Sequence, residues 1–114
     1  MKMLFGCLLA LITAPIAAQI PNLADGSGTI AVGGVSQTVF PQNVNRAYLE
    51  CQNPIAATEP LLINIGSTAS IAGGSFEIAP GGSVRFSIGN TPVPTAIVTV
   101  TAATTGHRFI CKQG

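Results

Sequence analysis

At 114 residues the chain has room for one domain, and a hydrophobic content of 47% is enough for a modest core. Charged residues make up only 8% and the formal net charge is +1, so there is no basic patch to draw in nucleic acid or an anionic membrane surface. Thirteen Gly and eight Pro in a body rich in Thr, Ser, Val and Ile favour short strands and tight turns over helices.

Residues 1–18 differ from everything after them. Lys2 gives a positive start, Met3 to Ala14 is apolar, and Pro15-Ile16-Ala17-Ala18 precedes the polar Gln19, the layout of a secretory signal peptide cleaved before Gln19. The alternative is an uncleaved hydrophobic arm or a membrane anchor. An apolar run of about a dozen residues is short of the roughly 20 that a span requires, so no stable membrane span is expected. Cys7 follows Leu4-Phe5-Gly6 in a loose likeness to a lipobox, but the apolar region follows this Cys instead of preceding it, which argues against lipidation.

Residues 19–28 contain Pro21, Asp25-Gly26 and Gly28 without periodicity and read as an extended arm or linker. From residue 29 to 114 the pattern is that of one β-sandwich. Thr29 to Val32 and Val35 to Phe40 read as strands of a hairpin turned by Gly33-Gly34. Asn43 to Asn53 holds the cleanest period of two: Ala47, Leu49 and Cys51 take one face, and Arg46, Tyr48, Glu50 and Gln52 the other, with Asn53-Pro54 closing the strand. Leu61 to Ile65 is the next strand, ended by Gly66, and Ser67 to Ser75 is a small, polar loop long enough to meet a partner. Phe76 to Ile78 and Ser83 to Ile88 alternate around Ala79-Pro80-Gly81-Gly82 and predict a second hairpin. After the turn material of Gly89 to Pro94 come a Val- and Thr-rich strand over Ala96 to Ala102 and a last strand over His107 to Lys112. The result is about seven to eight short strands, a small antiparallel sandwich of jelly-roll or immunoglobulin-like type.

Chemistry-bearing residues are sparse. Cys51 and Cys111 both fall on the inward phase and are the only cysteines left once the leader is removed. In an exported chain a disulfide between them would contribute on the order of 4 kcal/mol by closing a long loop; in a cytoplasmic one they would be buried thiols. His107, the one His, reads as a half-exposed turn residue. Asp25, Glu50, Glu59 and Glu77 are isolated in sequence, so no nucleophile, base and orienter set is visible and no enzymatic activity, cofactor or metal is expected. Gly26-Ser27-Gly28 and Gly73-Gly74-Ser75 lack the residues of phosphate loops and nucleophile elbows. Arg46, Glu50, Glu77 and Arg85 lie on outward phases. With Tyr48 as aromatic anchor, the set Arg46, Tyr48, Glu50, Gln52 and Arg85 is the candidate subunit contact, beside the plainer reading of a solvated face.

The run Asn45-Arg46-x-Tyr48-Leu49-x-x-Gln52-Asn53 resembles small tailed-phage virion proteins of the head-decoration or fibre-associated kind. So do, in order, Ile63-Asn64-Ile65-Gly66, Ile78-Ala79-Pro80-Gly81-Gly82-Ser83, Val93-Pro94-Thr95-Ala96-Ile97 and Thr104-Thr105-Gly106-His107-Arg108-Phe109. The resemblance covers residues 43–114. It implies a β-sandwich subunit, homo-oligomeric and without enzyme activity, that decorates or cements a capsid or joins a head or tail fibre by multivalent binding to other virion proteins. The leader supports a second reading, a secreted or periplasmic bacterial β-sandwich protein of adhesive or pilus-like type.

Overall fold

The structure is a computed structural model that describes residues 23–89 and 92–114. The expected leader, its cleavage before Gln19 and the start of the arm lie outside the described residues. Among the described residues nine strands form: β1 (Ala24–Asp25), β2 (Gly28–Thr29), β3 (Gln37–Phe40), β4 (Tyr48–Gln52), β5 (Leu61–Ile65), β6 (Phe76–Ile78), β7 (Ser83–Ser87), β8 (Val98–Thr101) and β9 (Arg108–Gln113). One sheet has the order β1-β9-β4-β7, with β2 also on β9, and the other the order β3-β8-β5-β6. Every pairing is antiparallel. The all-β reading holds, and the strand count exceeds the expected one because the edge strand on β9 is split into β1 and β2.

The expected arm over 19–28 is therefore part of the sandwich from Ala24 onward. Ala24 pairs with Gln113 and Gly28 with Phe109. Between them Gly26 N–H donates to the Cys111 carbonyl at 2.9 Å, and Ser27 Oγ accepts from Cys111 N–H at 3.1 Å. Pairing made by backbone groups leaves no side-chain period to read, which is why the sequence looked unstructured there. Gly26 is required: a Cβ would sit 2.6 Å from the Phe40 ring.

Both predicted hairpins are turns between sheets. Gly82 N–H donates to Ala79 O at 2.8 Å and Gly81 has φ +81°, so the tight turn exists. Yet β6 pairs with β5, and β7 pairs with β4 in the opposite sheet. Likewise β2 pairs with β9 while β3 pairs with β8. A turn that crosses a sandwich keeps the apolar phase of both strands on one core, so local alternation reads the same for either arrangement. At the first crossing Gly34 has φ +79° and donates to Ala102 O at 2.7 Å, and a Cβ on Gly33 would overlap the Ala103 carbonyl oxygen. Here the Gln37 amide replaces a strand partner, accepting from Ala31 N–H at 2.8 Å and donating to Thr29 O at 3.0 Å.

The core lies between the sheets and includes Ile30, Leu49, Leu61, Ile63, Val98 and Val100, all nearly inaccessible. Cys51 and Cys111 face each other across β4 and β9 with Cα atoms 4.1 Å apart and form a disulfide spanning 60 residues of sequence. The N–H and carbonyl of Cys111 turn to Ser27 and Gly26, so this is a non-hydrogen-bonded pair, the register in which opposed side chains come closest. The start of the loop after β5, a loop expected to meet a partner, is tied to its own sheet, while residues 71–74 stay exposed. Thr99 Oγ1 donates to Ser67 O at 2.8 Å and Ala69 N–H to Ser36 Oγ at 3.0 Å. Thr99 is thereby buried although its phase points away from the core.

Candidate functional site

The outer face of β4 is the first candidate. Alternation sends Leu49 and Cys51 to the core and leaves Tyr48, Glu50 and Gln52 half-buried on the outer side. Glu50 stands in register with Arg85 on β7 and Lys112 on β9, so the row carries one carboxylate flanked by two cations. Tyr48 O–H donates to Glu50 Oε1 at 2.5 Å and Gln52 Nε2 donates to Glu50 Oε2 at 3.1 Å. The Tyr48 hydroxyl first, then the Gln52 amide, holds the Glu50 carboxyl below the usual carboxylate range, and the same Glu50 bond raises the Tyr48 phenol. The row is a pre-ordered polar strip with an aromatic ring at one end.

Arg46 does not belong to that strip. It precedes β4, in a turn where its N–H donates to Asn43 O at 3.1 Å, and only 5% of it is accessible. Its guanidinium donates from Nε to Gln113 Oε1 at 2.7 Å, from Nη1 to Pro94 O at 2.8 Å and Ala96 O at 2.9 Å, and from Nη2 to Pro41 O at 3.0 Å. Its Cζ lies 6.0 Å from the centre of the Phe40 ring. The period of two begins at Tyr48, so extending it back to Arg46 gave the wrong face. Burial lowers the pKa of this guanidinium; the planar fork ties the 41–46, 94–96 and C-terminal segments together.

The second candidate is at the end of the sandwich where the β4–β5 loop meets the β8–β9 turn. His107, read from sequence as half-exposed, has a side chain only 6% accessible. Its Nδ1 lies 3.1 Å from Glu59 Oε2 and its Nε2 2.8 Å from Asn53 Oδ1. Asn53 Nδ2 donates to the carbonyls of Glu59 and Ile78, both at 2.9 Å, which fixes its Oδ1 towards the ring. Thr104 donates to Glu59 twice, from Oγ1 at 2.6 Å and from N–H at 3.0 Å. The Thr104 hydroxyl is the largest cause holding the Glu59 carboxyl below its ordinary value. Beside the cluster is an open cavity of about 330 Å³ lined by Pro54, Ala57, Glu59, Thr104 and Arg108, among others.

A His held by a carboxylate and an amide has the look of the orienting half of a catalytic triad, but the geometry does not complete one. Both ring nitrogens already face Glu59 and Asn53, so neither is turned to a substrate proton, and the Thr104 hydroxyl is bonded to Glu59 and not to the ring. The cluster is a clamp between two loops. Its members stand up to 54 residues apart in the chain; the sequence marked Asn53 by its turn and His107 and Glu59 by residue type, and no local pattern placed them together. Among the described residues no group of three or more His, Cys, Asp or Glu is gathered to hold a metal, and no helix is long and apolar enough to cross a membrane. Comparisons with protein-family models, with curated proteins and with solved structures found no match to the chain.

Proposed function

We propose that the chain is a structural subunit of a phage virion that decorates or cements the capsid or joins a head or tail fibre. It acts by multivalent binding to other virion proteins and to its own copies, without catalysis. The resemblance over residues 43–114 supplies the class, and the observation that carries the binding role is the strip Tyr48, Glu50 and Gln52 in register with Arg85. Strips of this kind favour specific partners because their side chains are ordered before contact, which lowers the entropy lost on association. The test is particle incorporation of a Tyr48→Ala, Glu50→Gln double variant. Incorporation is expected to fall at least tenfold while the unfolding midpoint stays within a few degrees; unchanged incorporation would sink the strip as the contact.

A second reading is favoured by one observation. The buried Cys51–Cys111 disulfide suits an oxidising compartment, as would befit a secreted or periplasmic sandwich of adhesive or pilus-like type. Export with an N-terminus at Gln19, and absence from particles, would select this reading over the virion one.

A further inference from the structure

The side of the sandwich formed by β6 and β7 is open in two independent ways. The first is its backbone. Because Cys51 and Cys111 form a non-hydrogen-bonded pair, Cys51 bonds on its other side to Val84, and the ladder continues as Asn53 N–H donates to Gly82 O at 3.0 Å. Alternation then turns the N–H and carbonyl groups of Ser83, Arg85 and Ser87 away from β4. Among the described residues no strand pairs with that edge.

The second is its side chains. Phe76 shares the inward phase of Ile78, and the apolar Ile88 lies in the turn that follows Val84 and Phe86 past the end of β7. Yet Phe76 is 54% and Ile88 75% exposed, and Val84 and Phe86 are only partly buried. Apolar groups on a core-facing phase that remain in water mark a seam lacking its cover. Counted from the Ala79–Gly82 turn, Phe76 and Phe86 lie at comparable distances, so the seam runs along both edges at the same height.

The geometry points to a strand from a second copy of this chain, drawn from Met3 to Ala14, as the cover: its backbone pairs with β7 and alternate apolar side chains fill the seam over Phe76 and Phe86. This rests on the virion reading, in which the N-terminal segment stays on the protein. The run has no charged residue, which suits an apolar seam. A second β7 edge fits worse, because the symmetric register centred on Arg85 sets two like charges opposite each other. The chain's own segment also fits worse. It joins the sheet at Ala24 on the β1 edge, with β9 and β4 between that edge and β7. A neighbour is free to adopt the stronger antiparallel pairing. Each copy then gives one strand and receives one, a head-to-tail contact that builds rings or arrays.

The test uses the full 1–114 chain. Association by sedimentation velocity and amide exchange over residues 83–88 are measured for the wild type, for Arg85→Pro, and for Leu8→Asp with Leu11→Asp. Arg85 N–H is outside the β4 ladder, so Pro there blocks an added strand and leaves β4–β7 pairing in place; an intact disulfide and cooperative unfolding verify the fold. The inference expects an associating wild type with slow exchange at 83–88, and at least tenfold weaker association with fast exchange in both variants. A monomeric full-length wild type overturns it, as does association untouched by Arg85→Pro. Loss with Arg85→Pro but not with the leucine variants also overturns it, since another occupant then holds the edge. Normal incorporation into particles alongside any of these results leaves the structural role standing and removes only this inference.

Discussion

Replacing Arg46 tests the reassignment of this residue from surface contact to internal tie. Arg46→Ala removes four charge-assisted hydrogen bonds and leaves the carbonyls of Pro41, Pro94 and Ala96 and the Gln113 amide oxygen without this donor. A hydrogen bond to a charged group contributes about 1.5–3 kcal/mol, and stranding a buried acceptor costs about 1–3 kcal/mol. Such terms do not add, and water entering the vacated space recovers part of the loss. The expected destabilisation is about 3–5 kcal/mol, which for a domain of this size lowers the midpoint by on the order of 15–30 °C. Arg46→Lys keeps the charge but not the fork, and about 1.5–3 kcal/mol is expected for the loss of at least one charge-assisted bond. Urea and thermal unfolding followed by circular dichroism report both values. A loss under about 0.5 kcal/mol for Arg46→Ala, the range of an ordinary surface change, would refute the reasoning.

Four other variants, one of them read in a pH titration, bear on the same structure. Cys51→Ala with Cys111→Ala removes a cross-link spanning 60 residues and is expected to cost on the order of 4 kcal/mol in denaturant unfolding under oxidising conditions; a change below about 1 kcal/mol would contradict the closed bridge. Gly33→Ala meets the Ala103 carbonyl and is expected to lower the midpoint by several degrees, with faster amide exchange at Gly34, whose N–H bonds to Ala102 O. His107→Ala breaks the clamp between the β4–β5 loop and the β8–β9 turn, and protease nicking within 53–60 is expected to rise while the Cys51–Cys111 disulfide stays formed. Glu50 and Glu59 both have depressed folded-state values. Their contribution is present above the unfolded-state value of about 4.3 and is lost as pH falls through the folded ones. Stability is thus expected to drop on acidification below about pH 4.3, and Glu50→Gln to flatten that limb; an unchanged profile would count against the Tyr48 and Gln52 bonds.

What could be read in advance followed from period and turn chemistry. Leu61 to Ile65 was legible because Gly66 and Pro60 bound it, and Tyr48 to Gln52 because its polar and apolar residues alternate strictly. The inward phase of Cys51 and Cys111 was legible for the same reason, and their direct opposition follows from the β4–β9 register. Pairing between distant strands was not legible. The Ala79–Gly82 and Gly33–Gly34 turns were recognisable, but whether a turn closes a hairpin or crosses to the other sheet is decided by contacts far along the chain. Arg46 and His107 failed for a related reason. Each satisfies its polar atoms against residues roughly 50 positions or more away, such as Pro94, Gln113 and Asn53, and no local pattern announces such partners. The exposed Phe76 and Ile88 show the reverse case, where the phase predicts burial that the described sandwich leaves unfinished.

The most direct test of the virion role is intact-mass spectrometry of the natural protein in purified particles, with and without thiol alkylation. The virion reading predicts the chain in the particles with residues ahead of Gln19 still attached; the alkylation arm reports only the Cys51–Cys111 bridge, which the structure holds under either reading. A chain absent from particles and recovered outside the cytoplasm beginning at Gln19 would contradict it.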